Sequence, residues 1–241
     1  MDLDNKVAII TGAGRGIGKD ISIALAKENC NVVLVSRTEA QLKDAINEIK
    51  KSDVKSKAIY IAADLSLKQD IDKVVQKTLE HFGNIDILIN NAAFLSSSSF
   101  FDLSEEIWDK TLDINLKSVF LLSQKVMEIM VKNKTGYIIN ISSTAALQVP
   151  PTIAVYGISK KALIGLSEVL YEIGKESNVK VSTIFPGMTD TEMLRSFNPP
   201  VEHSKWMLPA DITDCVLFLL KQSDRVVVKE IIPWASKHDQ I

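Results

Sequence analysis

The sequence has 241 residues, of which 46% are apolar and 24% charged, the composition of an ordinary globular protein with a sizeable core. Its net charge of -2, from 28 basic and 30 acidic residues, argues against a nucleic-acid or membrane-surface partner. No apolar run approaches the roughly 20 residues that span a bilayer, and the start does not resemble a signal peptide, so we expect a cytoplasmic protein. The two cysteines and three histidines have no ligand spacing, and no metal site is expected.

Short β-branched runs alternate with longer helical patterns along the chain. The predicted strands cover residues 7–10, 32–35, 58–62, 85–90, 137–141, 179–185 and 226–232. The predicted helices lie between them, near residues 17–29, 39–52, 67–82, 104–132, 155–177 and 210–221. Continuously apolar strands are typical of a parallel sheet that is covered on both faces. We therefore predict an α/β fold: one domain over residues 1–241, with a single doubly wound, Rossmann-type parallel sheet of about seven strands and helices on both faces.

A glycine-rich turn joins the first predicted strand to the first helix. It contains four of the ten glycines, namely Gly12, Gly14, Gly16 and Gly18. Such a turn lets the backbone approach a pyrophosphate at a helix N-terminus, although a glycine-rich loop can also be a turn and nothing more. A GxGxxG pattern from Gly12 would need glycine where Ile17 stands, so the spacing is GxxxGxG. The context favours a dinucleotide site at the carboxyl ends of the strands.

The end of the second strand indicates which dinucleotide is bound. An NAD site usually offers a carboxylate there, whereas NADP requires a cation for its 2′-phosphate. This strand ends in Ser36-Arg37, with no acid before Glu39, and Arg15 in the glycine turn could reach the same phosphate. The pattern favours NADP(H) over NAD(H). Alternatively, Arg37 is a solvated surface residue and Glu39 turns inward.

A tyrosine and a lysine one helical turn apart form the first catalytic candidate. Tyr156 and Lys160 lie near the start of their helix, close to the Ser142-Ser143 pair that ends the fifth strand. An ammonium beside a phenol lowers the phenol pKa, which suits proton transfer to a carbonyl. Tyr171 has the same spacing to Lys175 but lies deeper in the helix, so we expect it to be structural.

At these positions the sequence resembles the short-chain dehydrogenase/reductase family, nearest to its 3-oxoacyl-carrier-protein reductase and carbonyl reductase branch. The resemblance extends from the first strand to about Thr191. It rests on motifs that match in order and spacing: Thr11-Gly12, Gly16-Ile17-Gly18, Asp64-Leu65, Asn91-Ala92, Asn115, Ser143, Tyr156, Lys160, Pro186-Gly187 and Thr191.

The resemblance implies a role for each catalytic position. Tyr156 would be the acid/base that protonates the substrate oxygen. Lys160 would bind the nicotinamide ribose and depress the tyrosine pKa. Ser143, rather than Ser142, would hydrogen-bond the carbonyl, and Asn115 would be a helix-kink residue that positions a water behind Lys160. The alternative for Asn115 alone is helix capping.

The resemblance also implies the cofactor contacts. Asp64 would bond the adenine, Asn91 and Ala92 would line the adenosine ribose, and Pro186-Gly187 with Thr189 or Thr191 would meet the nicotinamide amide. The full predicted cofactor set is Thr11, Gly12, Gly14, Arg15, Gly16, Ile17, Gly18, Ser36, Arg37, Asp64, Leu65, Asn91, Ala92, Tyr156, Lys160, Pro186, Gly187, Thr189 and Thr191.

A substrate lid is expected within residues 187–208. Its apolar members are Met188, Met193, Leu194, Phe197, Val201, Trp206 and Met207, and Phe94, Leu95, Leu147, Val149 and Pro150 would lie opposite. Such a pocket favours an apolar or acyl-linked carbonyl compound. The sequence thus predicts an NADPH-dependent ketone reductase. An NAD-linked alcohol dehydrogenase and a non-catalytic cofactor-binding regulator are the alternatives.

Two features depart from the family pattern. Ala93 replaces a usual glycine, and a glycine-rich C-terminal turn is missing, since the chain reads Lys-Glu-Ile-Ile-Pro-Trp after Val228. The missing turn puts the usual tetramer in doubt. A homodimer or homotetramer is expected, with dimerisation through the apolar faces of the helices near 104–132 and 155–177 (Leu112, Leu116, Val119, Phe120; Leu163, Leu166, Leu170).

Overall fold

The computed structural model describes residues 1–52, 54–197 and 202–236, and within them seven parallel strands form one sheet in the order β3-β2-β1-β4-β5-β6-β7. The strands are β1 (Val7–Thr11), β2 (Asn31–Ser36), β3 (Ala58–Ala62), β4 (Ile87–Asn90), β5 (Gly136–Ile141), β6 (Val179–Ile184) and β7 (Glu230–Ile231). The helices are α1 (Gly16–Lys27), α2 (Glu39–Lys51), α3 (Lys68–Phe82), α4 (Glu105–Leu112), α5 (Ser118–Asn133), α6 (Ala154–Gly174), α7 (Glu192–Phe197) and α8 (Pro209–Leu220). The predicted fold class is confirmed.

Helices cover both faces of the sheet, which explains why its strands are apolar throughout. In β1, Ala8 and Ile10 pack into the cluster under α1, α2 and α8, whereas Val7 and Ile9 pack into the cluster under α3, α5 and α6. Successive side chains of a strand point to opposite faces, so each face needs its own apolar set. Two helical layers on one sheet follow from this pattern.

Two predicted elements differ from the structure. The helix expected near 104–132 is divided by a π-helical turn, Asp113–Lys117, between α4 and α5. The last strand, expected over 226–232, has only two residues. Backbone pairing with β6 begins only at Lys229, whose carbonyl accepts from the Thr183 amide at 2.8 Å. The preceding carbonyl, that of Val228, accepts from the Ser182 hydroxyl and not from a backbone amide of β6.

The strand order reverses between β1 and β4. The chain builds β2 and β3 on one side of β1 and then crosses to build β4 to β7 on the other. The loops that follow β1 and β4 therefore diverge and leave a crevice at the carboxyl edge of the sheet. Across the described residues, no helix has the length and apolarity needed to cross a membrane.

Candidate active site

The glycine turn sits tightly against the loop that follows β4. Gly12 and Gly16 have φ values of +66° and +54°, a region that side chains disfavour. A β-carbon on Gly18 would lie 2.4 Å from the Gly12 carbonyl oxygen and 2.5 Å from the Asn91 amide nitrogen. The predicted GxxxGxG spacing therefore corresponds to positions where only glycine fits without strain or a clash.

The Thr11 hydroxyl joins the ends of β1 and β4. It accepts hydrogen bonds from the Asn91 and Ala92 amides at 2.9 and 3.0 Å and donates to the Ile89 carbonyl at 3.3 Å. The Asn91 side chain donates back to the Thr11 carbonyl at 2.9 Å. Thr11 is buried, so it shapes the crevice without forming its wall.

At the end of β2, a buried hydroxyl has no partner. The Ser36 Oγ is shielded from solvent and makes no hydrogen bond within the described residues. It lies 3.0 Å from where a β-carbon on Gly14 would stand, beside the side chain of Gln41. Buried hydroxyls normally have a partner. An unpaired hydroxyl next to the glycine turn, with Arg37 exposed beside it, therefore fits a phosphate-bearing ligand.

The charged residues around this end are arranged differently from the sequence expectation. Glu39 does not turn inward, because it pairs with Lys43 at 2.9 Å and accepts from the Tyr60 hydroxyl at 3.0 Å. The Arg15 guanidinium forms an exposed ion pair at 2.5 Å with Glu192 at the start of α7. The glycine turn and the lid are thus joined by an ion pair that the sequence does not reveal.

Asp64 lies in the loop that follows β3. Its carboxylate accepts hydrogen bonds from the Ser66 amide and hydroxyl at 3.0 and 2.7 Å. Burial alone would raise the Asp64 pKa, but these bonds and the charges of Arg37 and Lys110 hold it below its ordinary value. Leu65, the next residue, is buried.

Tyr156, Ser143 and Lys160 come together on one wall of the crevice. Tyr156 is in the first turn of α6, and Ser143 follows β5 with its hydroxyl close enough to the phenol to influence its pKa; this hydroxyl also accepts from the Ala145 amide at 3.1 Å. Lys160, one turn further along α6, donates to the Ile141 carbonyl at 2.7 Å. Ser142 donates instead to the Lys160 carbonyl at 3.0 Å. Of these two hydroxyls, that of Ser143 is the one near the Tyr156 phenol.

The pKa of Tyr156 differs from the expectation that the Lys160 ammonium lowers it. Burial raises the pKa of Tyr156 above its ordinary value, and the nearby Ser143 hydroxyl opposes the rise. Burial lowers the pKa of Lys160 to about 8. The Lys160 ammonium nitrogen lies 5.8 Å from the centre of the tyrosine ring and points to a carbonyl, so burial outweighs its effect on the phenol.

Asn115 occupies the π-helical turn and is completely buried. Its side-chain oxygen accepts from the Phe94 amide at 2.7 Å, and its amide group donates to the Phe94 carbonyl at 2.9 Å and to the Ser159 hydroxyl at 3.0 Å. Ser159 in turn donates to the Tyr156 carbonyl at 2.7 Å. The side chain does not cap a helix; its hydrogen bonds fix the Phe94 loop against α6.

The second tyrosine–lysine pair has no comparable surroundings. Lys175 forms an ion pair with Glu172, and the Tyr171 ring lies under the ammonium of Lys229 at 3.9 Å. Neither residue lines the crevice.

The crevice has a volume of about 840 Å³ and gathers most of the predicted residues. Those that line it are Gly12, Arg15, Gly16, Ile17, Asn91, Ala92, Ser143, Tyr156, Lys160, Pro186, Gly187, Thr189 and Thr191. The predicted residues that do not line it are Thr11, Gly14, Gly18, Ser36, Arg37, Asp64, Leu65 and Asn115. Ala93, which departs from the family pattern, also lines it.

The apolar lining of the crevice contains only some of the residues predicted for it. Met188, Met193, Leu194 and Phe197 line it, opposite Leu95, Val149 and Pro150. Trp206 and Met207 are instead buried, and Phe94 and Leu147 lie outside the lining. Val201 and the rest of 198–201 lie outside the described residues. Sequence reasoning missed Trp234, although its place directly after the last strand is a signal that could have identified it.

Comparison with known proteins agrees with this geometry. The family model described as short chain dehydrogenase matches residues 6–202. An uncharacterized oxidoreductase of Staphylococcus aureus strain USA300 is 33% identical over 229 residues, covering 95% of this chain and 96% of that protein. A metagenomic short-chain oxidoreductase solved with NADP has a TM-score of 0.84 at 30% identity, covering 96% of this chain and 97% of the other. A Brucella melitensis 3-ketoacyl-(acyl-carrier-protein) reductase solved with NADH has a TM-score of 0.86 at 27% identity, covering 95% and 97%. The chain is therefore an oxidoreductase that belongs to the short-chain dehydrogenase family.

Proposed function

We propose that the protein is an NADPH-dependent oxidoreductase that reduces a ketone, either a 3-oxoacyl compound or another apolar carbonyl compound, to an alcohol. The observation that carries this proposal is the single crevice in which the Ser143–Tyr156 pair meets both the glycine turn and an apolar wall. A polar pair at the junction of a dinucleotide site and an apolar pocket is suited to carbonyl chemistry.

The residues present fit a nicotinamide dinucleotide. The glycine turn and the α1 N-terminus would hold the pyrophosphate, Asn91 and Ala92 the adenosine ribose, and Asp64 the adenine. Lys160 would hold the nicotinamide ribose, and Pro186-Gly187 with Thr189 or Thr191 the amide. The unpaired Ser36 hydroxyl and the exposed Arg37 support a 2′-phosphate, and therefore NADP(H). When bound, NADPH supplies the hydride.

The chain's own residues supply the proton. The Tyr156 phenol is protonated at neutral pH, as an ordinary phenol is, so it can donate to the substrate oxygen while Ser143 hydrogen-bonds that oxygen. Lys160, with a pKa of about 8, can carry a proton near neutrality and lies one helical turn from the tyrosine. Asn115 keeps the Tyr156 turn in position through Ser159.

The same site used with NAD to oxidise an alcohol is the second candidate. The ion pair between Arg15 and Glu192 favours this second candidate, because Glu192 already pairs with one of the two cations expected at a 2′-phosphate. The Brucella melitensis reductase was solved with NADH, whereas the metagenomic oxidoreductase was solved with NADP.

Fluorescence titration of the purified protein with NADPH and with NADH separates these candidates. We expect NADPH to bind at least tenfold tighter, which corresponds to about 1.4 kcal/mol. Equal or tighter NADH binding would favour the alcohol dehydrogenase. The variant Tyr156→Phe should bind NADPH as the wild type does while ketone turnover falls by orders of magnitude. Unchanged turnover would remove Tyr156 from its assigned role.

We also propose a homodimer or homotetramer, with contacts on α5 and α6. Val119, Leu163 and Leu170, expected at the interface, are buried in the chain's own core. Phe120 on α5 and Val169 and Ile173 on α6 are exposed and offer apolar area. Light scattering of the wild type and of a Val169→Glu/Ile173→Glu variant tests this, because a charged pair should dissociate the assembly.

A further inference from the structure

The segment that follows β7 continues along β6 into the crevice. The Phe185 amide bonds the Ile231 carbonyl at 2.8 Å, and the Gly187 amide bonds the Pro233 carbonyl at 3.1 Å. Pro233 also restricts the backbone just before Trp234, because its ring fixes φ near −65°. The backbone that carries Trp234 is therefore held beside Gly187, at the substrate end of the site.

Its indole forms part of the crevice wall. The ring carbon Cε3 lies 3.7 Å from where a β-carbon on Gly187 would stand, so the ring packs alongside that glycine. The side chain is nevertheless 55% exposed. An aromatic ring buries a large apolar area when a ligand covers it, and it prefers flat partners in offset or edge-on contact. A half-open indole in the crevice is therefore suited to receive a ligand group.

The neighbouring lid residues differ from it in stiffness. Met188 and Met193 line the same crevice, and their unbranched thioether chains adapt to ligands of many shapes. The indole is rigid and planar, and its backbone is held by the Gly187–Pro233 bond. The shape preference of the pocket should thus come from the ring more than from the methionines.

We propose that Trp234 determines substrate specificity: it favours carbonyl compounds that carry a planar aromatic group over linear compounds of the same size. This inference rests on the proposed ketone reduction and narrows its substrate class. Trp234 takes no part in proton transfer, so its effect falls on KM and not on kcat.

Two methyl ketones with equal carbon number, acetophenone and 2-octanone, provide the test with NADPH. Trp234→Leu keeps apolar bulk but removes the flat ring, whereas Trp234→Phe keeps a ring. We expect Trp234→Leu to raise the KM for acetophenone about tenfold, the scale of one aromatic contact, and to leave 2-octanone within threefold. For Trp234→Phe, the KM values for both ketones should stay within threefold of those of the wild type. Trp108→Leu is the matched control, since Trp108 lies on α4 and does not line the crevice.

Binding without turnover gives a second readout. Addition of acetophenone to the NADP⁺ complex, a pair that cannot exchange a hydride, should quench tryptophan fluorescence in the wild type and in Trp108→Leu, but not in Trp234→Leu. If Trp234→Leu raised the KM for both ketones equally, the assignment of Trp234 would be overturned. The same holds if this variant bound NADPH more weakly while its preference between the two ketones stayed unchanged. If the wild type reduces neither these ketones nor a 3-oxoacyl thioester with either cofactor, the proposed function itself fails, which the activity of the wild type reports independently of Trp234.

Discussion

Replacement of Asn115 by alanine should destabilise the protein strongly. The change removes three hydrogen bonds, two to the Phe94 backbone and one to the Ser159 hydroxyl, from a completely buried position. A hydrogen bond contributes about 1 kcal/mol net, and a buried partner left unpaired costs about 1–3 kcal/mol. We therefore expect Asn115→Ala to lower the free energy of unfolding by about 3 kcal/mol.

Urea unfolding followed by circular dichroism measures this loss. Asn133→Ala is the control, because this exposed asparagine makes one side-chain bond to Asn84 and its loss should change stability by at most about 0.5 kcal/mol. A double-mutant cycle with Ser159→Ala should give a coupling of about 1 kcal/mol, the share of the bond that joins the two residues. A loss below about 1 kcal/mol for Asn115→Ala, or no coupling to Ser159, would refute the role assigned to this side chain.

Three further changes test the charges of the site. Glu192→Gln releases Arg15 from its ion pair, so NADPH should bind several-fold tighter in a titration; weaker binding would mean that Arg15 does not reach the phosphate. Arg37→Ala should weaken NADPH binding about tenfold and leave NADH binding unchanged, and an equal effect on both cofactors would contradict the 2′-phosphate assignment. Lys160→Met should be more stable than the wild type below pH 8, because the buried ammonium is costly. Between about pH 8 and pH 10.5 the unfolded lysine keeps the proton that the folded lysine loses. The free energy of unfolding of the wild type should therefore rise relative to that of the variant by up to about 3 kcal/mol, as measured by urea unfolding. A difference that stays constant with pH would contradict the lowered pKa of Lys160.

The layer order and the sheet could be predicted because they depend on local patterns. Runs such as residues 32–35 are apolar without alternation, which requires cover on both faces, and the structure buries all four side chains. The end of the sheet could not be predicted in this way. Val226, Val227 and Val228 have strand propensity, but only tertiary contacts decide that the chain meets β6 at Thr183 and not earlier.

The location of a site residue could be predicted from the sequence where it depends on spacing along one helix or between consecutive elements. Tyr156 and Lys160 share one helix, and the glycine turn joins consecutive elements, so their placement follows from the sequence. Contacts between distant segments carried no such signal. The Arg15–Glu192 pair joins residues 177 positions apart, and the contact of Trp234 with Gly187 joins residues that are separated by two helices and the last strand. The raised pKa of Tyr156 likewise depends on burial by several elements, which spacing does not report.

The Thr11 hydroxyl has a consequence for the floor of the crevice. Because one oxygen joins the ends of β1 and β4 through three hydrogen bonds, the two loops that begin there cannot separate without breaking all three. The floor of the crevice is therefore held by buried hydrogen bonds, whereas an exposed ion pair joins α7 to the glycine turn. Loss of this ion pair would therefore leave the hydrogen bonds beneath the cofactor-binding surface intact.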